Sequence, residues 1–318
     1  MNILVTGGCG FIGSNFVRYM LDNHKNYKIC NIDKLTYGGN LENLKDIEKN
    51  PKYNFIKGDI CNKNLVLDIM KQSDVVVHFA AESHVDNSIR DSNAFIHSNV
   101  KGTQTLLDAA KLCRIQKFIQ ISTDEVYGSI TKGSSKEIDI LEPNNPYSAS
   151  KAAGDMLARA YNITFDVPTI ITRSSNNFGP YQHPEKLIPL FVTNLLRGKK
   201  VPLYGDGLNV REWLYVIDNC EAIDKILHKG QIGEIYNIGG GTEQTNFEIT
   251  KLLLKELDKD DSYVDFVKDR PGHDRRYSLN ISKMKKMGWE PKYDFKEAIK
   301  ETAKWYRENR KWWLKLKS

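Results

Sequence analysis

Ser122-Thr123-Asp124-Glu125-Val126-Tyr127-Gly128 sets a hydroxyl and two carboxylates side by side. Farther on, Tyr147-Ser-Ala-Ser-Lys151 puts a phenol and an ammonium at i and i+4, on one face of a helix. A free tyrosine has a pKa of about 10 and is a weak base at neutrality. A neighbouring cation favours the phenolate. Such a pair can take a hydroxyl proton while a hydride leaves the same carbon. Thr123 can donate a hydrogen bond to the oxygen as it becomes a carbonyl, which counts most in a dry site. Hydride transfer has no use for Asp124 and Glu125. Two adjacent acids suit a general acid and a general base whose environments drive their pKa values apart, and hence loss of water beside the new carbonyl. Neighbours on an extended strand point to opposite faces, so both acids reach one substrate only if the chain turns here. Gly128 makes that turn accessible.

The hydride needs an acceptor. Gly7, Gly10 and Gly13, with Phe11 and Ile12 between them, follow a predicted strand and open a predicted helix. Gly7 suits a tight turn, Gly10 lets the backbone approach a pyrophosphate, and Gly13 permits close helix–strand packing at a helix N-terminus that favours negative charge. Asp33, about twenty residues on, is placed to hydrogen-bond an adenosine ribose. Its charge would repel a 2′-phosphate and favours NAD over NADP, an argument blunted by the adjacent Lys34.

These residues need a scaffold. Short β-branched runs at Asn2–Thr6, Tyr27–Ile32, Tyr53–Lys57, Val75–Phe79, Lys117–Ser122 and Pro168–Thr172 alternate with helical segments. The helices include Phe11–Leu21, and the longest are Asn93–Leu112 and Tyr147–Tyr161. The βαβ rhythm predicts an α/β fold, a Rossmann-type doubly wound parallel sheet. After about residue 175 the rhythm loosens into Pro- and Gly-containing loops. The expected division is a cofactor domain over 1–175 and a smaller α/β substrate lobe mainly over 176–318, with some elements returning to the first domain. Trp312–Trp313 is read as packing.

The chain has 318 residues, 40% hydrophobic and 27% charged, with a net charge of +6. Lysine-rich segments near the end read as solvated helix faces, so no nucleic acid is expected as partner. No run approaches a membrane span, and Met1–Gly8 lacks the features of a secretory signal. Five scattered cysteines without a C-x-x-C pair read as reduced thiols in a cytoplasmic protein, with no metal site.

The G-x-x-G-x-x-G spacing resembles the extended short-chain dehydrogenase/reductase superfamily. Ser122–Gly128 resembles the signature of its nucleotide-sugar branch, and of the dTDP-glucose 4,6-dehydratase family in particular. Ala81–Ile89, Arg173–Pro189, Val210–Val216, Arg270–Tyr277 and Gly288–Phe295 are also similar to segments of that family. The resemblance implies a lyase that converts dTDP-glucose to dTDP-4-keto-6-deoxyglucose and water. The steps are NAD-mediated oxidation at C4, elimination across C5–C6 and hydride return to C6. It implies Asp124 as acid for the C6 hydroxyl, Glu125 as C5 base, Tyr147 as base for the C4 hydroxyl, Lys151 tuning it and Thr123 polarising C4–O. For the cofactor it adds Thr36, Asp59, Ile60, Ala80, Ala81, Ser83, Asn99 and Asn177. For the nucleotide sugar it implies Ser83, Asn176, Lys186, Leu187, Pro202, Tyr204, Arg211, Asn246, Arg270, His273 and Tyr277. Guanidinium forks at Arg211 and Arg270 match phosphate oxygens. Relatives of this branch pair through helices, so a homodimer is expected through Asn93–Leu112 and Tyr147–Tyr161. One departure is that Ser129–Asn145 is shorter and more polar than in many relatives, which bears on lid behaviour and substrate affinity. Alternatives are a UDP-hexose 4-epimerase, a UDP-glucuronate decarboxylase or a non-catalytic dinucleotide-binding regulator.

Overall fold

The computed structural model describes residues 1–317. Its first half lays down β1 (Asn2–Thr6), β2 (Lys28–Asp33), β3 (Tyr53–Lys57), β4 (Val75–His78), β5 (Lys117–Thr123) and β6 (Thr169–Ser174). The second half adds β7 (Asn176–Phe178), β8 (Val201–Tyr204), β9 (Val210–Tyr215), β10 (Ile235–Ile238), β11 (Thr242–Thr245) and β12 (Val264–Val267). Seven strands form one parallel sheet in the order β10-β6-β5-β4-β1-β2-β3. The order reverses beside β1, and the crevice beyond the strand ends at that point is where such sheets bind ligands.

Alternation along the strands explains why both faces are covered. On β1, Ile3 and Val5 join one apolar cluster while Leu4 joins another; on β5, Ile119 and Ile121 face the first and Phe118 the second. The first cluster packs under α1 (Phe11–Asn23), the second under α2 (Lys63–Met70). After α3 (Val85–Arg90), the predicted helix over Asn93–Leu112 is not uniform. It opens as α4 (Asn93–Phe95), widens through a π-helical turn at Ile96–Gly102 and continues as α5 (Thr103–Cys113). The Asn99 side chain within that turn is held by the Glu82 backbone and by Ser150; wide turns of this kind gather at functional sites.

Helix α6 (Pro146–Phe165) has a defined start. Pro146 occupies its first turn, and Asn145 and Ser148 cap each other reciprocally, which satisfies donors the helix cannot. This start places Tyr147, Lys151 and Asp155 on one buried face.

The remaining helices are α7 (Leu187–Leu195), α8 (Val216–Lys229), α9 (Asn246–Glu256), α10 (Ser282–Lys286), α11 (Phe295–Glu308) and α12 (Arg310–Leu314). A separate apolar cluster built from α7, α9, α11 and β9 holds the second lobe, with Trp313 buried in it. Elements of this half return: β10 pairs with β6, and α8 and α10 contribute Cys220, Ile223, Ile226 and Met284 to the cluster under α1. A three-stranded sheet (β11-β9-β7) and a pair (β12-β8) complete the lobe. The short segment 129–145 docks along residues 276–280, with Ser135 N–H donating to Ser278 O at 2.9 Å and Ile130 N–H to Arg276 O at 3.1 Å.

Candidate active site

A cleft of about 240 Å³ opens at the sheet's switch point. Of the residues expected at the cofactor, Gly7, Gly10, Phe11, Ile12, Gly13, Asp33, Lys34, Thr36, Asp59, Ile60, Ala80, Ala81 and Ser83 line it, as do Tyr147, Lys151 and Lys186. A Cβ on Gly13 would lie 2.4 Å from Gly7 O, and one on Gly7 would lie 2.6 Å from Ala80 Cα. The loop therefore closes tightly onto the strand, while Gly10 faces open space apart from Gly7 O. Asp33 accepts from Cys9 N–H at 2.9 Å and Leu35 N–H at 2.8 Å. Burial raises its pKa against these bonds. Lys34 is turned to Asp59, 2.7 Å distant, and not to Asp33. Asn99 is 2% exposed and stands behind the wall, tying the loop after β4 to α6.

The turn needed by the two acids is present. β5 ends at Thr123, and Asp124–Tyr127 form a 3₁₀ turn capped by the Thr123 hydroxyl, which accepts from Glu125 N–H at 3.3 Å. Gly128 then leaves the turn with φ 76°. The Thr123 hydroxyl donates to Asp124 Oδ1 at 3.1 Å and lies close enough to the Tyr147 phenol to favour its charged form. Asp124 Oδ2 and Glu125 Oε2 are buried without a partner, an expensive state for atoms that nothing else satisfies. Burial first, then Glu125 and Glu212, push the Asp124 carboxyl well above the usual range.

Tyr147 is pushed well above the usual phenol value by burial, then by the Glu125 carboxylate. Lys151 does not counter this: its ammonium donates to Ile121 O at 2.6 Å, and burial lowers its own pKa to about 8 against the charge of Asp155. Of the two cations expected to favour phenolate, the lysine and a positive nicotinamide ring, the lysine does not do so by itself here. The pocket as built holds a protonated phenol. Phe95 meets the Tyr147 ring edge-on at 6.3 Å.

Three of the residues expected at the nucleotide sugar lie near this turn: Lys186 and Tyr277 feel the Glu125 charge, and Arg211 that of Asp124. Lys186 donates to Ser83 O at 2.8 Å and feels the charges of Glu185, Glu125 and Arg270. Arg211 donates to Asp274 O at 2.9 Å, with its guanidinium 4.5 Å over the Tyr277 ring. The Tyr277 hydroxyl donates to the Asp274 carboxylate; burial, then Glu125, raises its pKa. Arg270 lies 3.4 Å from Asp86, with its Nε unpartnered. His273 bonds Asp269 at 2.6 Å and meets Tyr204 edge-on at 6.3 Å. Asn176 and Asn246 each bury an amide oxygen with no partner, as does Asn177, expected at the cofactor but not on the cleft wall. Leu187 opens α7, and Pro202 sits on β8 opposite Asp265. Glu125 is the common point, felt by Tyr147, Lys186 and Tyr277.

Sequence reasoning missed Tyr37, Glu82, Ser122, Gln182 and Glu185 on the cleft wall, along with Glu212. Glu212, buried on β9, accepts from Gly241 N–H at 2.8 Å and Leu279 N–H at 2.7 Å. Its only signal was an acid within an otherwise buried strand. Glu185, pushed up to about 7 by burial, sits 3.7 Å from His183 and 3.8 Å from His84.

A Tyr–Lys face on the helix after the fifth strand of a doubly wound sheet, over a glycine-rich loop, defines a short-chain dehydrogenase/reductase-type protein. Residues 4–302 match the family described as GDP-mannose 4,6 dehydratase, and the chain belongs to that family. It is 51% identical to the dTDP-glucose 4,6-dehydratase of an Actinoplanes species, covering 98% of this chain and 100% of that one. It is 52% identical to the low-salt glycan biosynthesis protein Agl12 of Haloferax volcanii over 96% of this chain and 98% of that one. The crystal structure of DesIV, a dTDP-glucose 4,6-dehydratase from Streptomyces venezuelae with NAD and TYD bound, superposes with a TM-score of 0.98. It is 51% identical and covers 99% of this chain and 100% of that one.

Proposed function

We propose that this chain is a dTDP-glucose 4,6-dehydratase, releasing water and dTDP-4-keto-6-deoxyglucose. The observation that carries this reading is one turn at the end of β5, where Thr123, Asp124 and Glu125 meet Tyr147, with an unpartnered carboxylate oxygen on each acid. The glycine cradle and Asp33 fit a dinucleotide. We assign residues 1–175 to it and 176–318 mainly to the nucleotide sugar. Bound NAD supplies hydride removal from C4 and hydride return at C6. The protein supplies the protons. Tyr147 takes the C4 hydroxyl proton, with Thr123 donating to the developing carbonyl oxygen. Glu125 removes the C5 proton, now acidic beside the ketone, and returns it to C5 as C6 is reduced. Asp124, protonated by its setting, gives its proton to the departing C6 hydroxyl. The positive ring of a bound dinucleotide would favour the phenolate of Tyr147 against the burial that holds it protonated. Arg211, Arg270, Lys186 and Asn246 hold the diphosphate and base, and the dTDP assignment rests on the relatives' substrates.

The test is dTDP-glucose deuterated at C4, supplied without added cofactor. Product labelled at C6 is expected, and product lacking the label overturns the reading.

We further propose that two copies pair through α5 and α6, whose Leu112, Met156, Ile163 and Phe165 are exposed. A monomer by light scattering at micromolar concentration refutes this. All five cysteines are free, and among the described residues no helix is long and apolar enough to cross a membrane. We place the protein in the cytoplasm, where thiols stay reduced.

A further inference from the structure

The seam between α1 and α8 carries a cluster for which the reaction has no use. His24 caps the C-terminal end of α1, while Asp224 and His228 lie one turn apart on α8. His24 Nε2 stands 2.9 and 3.0 Å from the two oxygens of Asp224. His228 Nδ1 stands 3.0 Å from Asp224 Oδ1. The Tyr27 ring stacks on His24 at 4.5 Å, and its hydroxyl lies 2.7 Å from His228 Nε2. None of these four residues lines the cleft.

Two imidazoles and a carboxylate converge here, with donor atoms within 4.8 Å of one another. We propose that His24, Asp224 and His228 bind one Zn²⁺ ion, with water as fourth ligand. Imidazole nitrogen and carboxylate oxygen are donors this ion takes, at about 2.0–2.2 Å. Tetrahedral bonds of that length put neighbouring donors about 3.4 Å apart, so each nitrogen retreats from Asp224 by about half an ångström. The two imidazoles, stacked with centroids 5.0 Å apart and planes at 24°, turn until their in-plane lone pairs converge. The proton of His228 moves from Nδ1 to Nε2, and the bond from Nδ1 to the Asp224 main-chain oxygen is given up. Tyr27 makes that exchange inexpensive, because a hydroxyl that donates to Nε2 can turn and accept from it. It then fixes the tautomer in the way outer partners of ligating histidines do. Such an ion would link residue 24 to residues 224 and 228. It would pin a helix contributed by the second half of the chain onto the cofactor sheet.

The test uses the full chain, stripped with a chelator, titrated with Zn²⁺ by calorimetry and with Co²⁺ as a visible probe. One ion per chain, tetrahedral Co²⁺ absorption and a melting midpoint raised by about 5 °C at about 100-fold above Kd are expected. His24→Gln and His228→Gln should each abolish the absorption and the shift while metal-free turnover stays that of the parent. Two separate variants guard against one that fails to fold. Tyr27→Phe should weaken binding about tenfold and keep the band. Cys61→Ala, in the cluster with Asp59 and His97, should change nothing. No Co²⁺ band in the parent chain, or a band that survives His24→Gln and vanishes in Cys61→Ala, overturns the proposal.

Discussion

Replacing Asp124 with asparagine separates the proposed acid from everything around it. The carboxyl is 3% exposed, accepts from Thr123 at 3.1 Å through one oxygen, and leaves the other without a partner. Asparagine keeps the volume and the acceptor toward Thr123, but its amide has no proton to release. A positioned general acid is worth about 10²–10⁴ in rate, or about 3–5 kcal/mol of barrier. Dehydration should therefore slow by about 10³ while oxidation at C4 survives. Reduced cofactor then accumulates, visible as near-ultraviolet absorbance after rapid mixing. Stability should move the other way. Because the folded-state pKa is raised, the folded protein holds a proton that the unfolded chain releases above its ordinary value near 3.8. Its favourable contribution is complete below that value and is lost as pH rises through the folded pKa. The parent thus carries a penalty at about pH 8 that asparagine lacks, and almost none at about pH 4. The variant should melt higher than the parent at the first pH and no higher at the second. Turnover within about threefold of the parent, or a lower midpoint at both pH values, would refute the assignment.

Four further outcomes follow from the geometry. Lys151 has its pKa lowered to about 8, so turnover should decline as pH rises through that value. Lys151→Met should be about 10²-fold slower with no such limb in its pH–rate profile. Arg211→Lys loses the fork that bonds Asp274 O and stacks on Tyr277; KM for the nucleotide sugar should rise about tenfold with kcat little changed. Asp155 and Arg173 form a pair 3.0 Å apart, with exposures of 0% and 1%. Asp155→Asn strands the guanidinium and should cost about 3–5 kcal/mol in denaturant unfolding. His78, buried between the Thr6 and Thr103 hydroxyls, has its pKa lowered to about 3 by burial and then by Lys151. Its neutral form contributes stability that is present above the unfolded value of 6.5 and is lost as pH falls toward 3. His78→Gln should flatten that acid-side decline, and an unchanged slope in melting scans would exclude the role.

Local spacing determined a large part of this protein. Alternation in Asn2–Thr6 and Lys117–Ser122 specifies strands covered on both faces, because successive side chains point opposite ways. The glycine spacing specifies a turn that only residues without a Cβ can make where the loop meets Ala80. Tyr147 and Lys151 share a face through the helical period, and Asn145-Pro146 marks where that helix begins. Tertiary structure decided the rest. Asp124 and Glu125 share the Tyr147 pocket only because the strand breaks into a capped 3₁₀ turn. Glu212 reaches Asp124 from β9, and Asp274 positions Arg211 and Tyr277 from a loop of the second lobe. The π-helical turn forms where Asn99 is held between Glu82 and Ser150. The protonation states of Asp124, Tyr147 and Lys151 are also set by burial and by charges from distant segments. A sequence pattern encodes which way a side chain faces along its own element. Which remote segment is pressed against it, and how much water is excluded, is decided only when the chain packs.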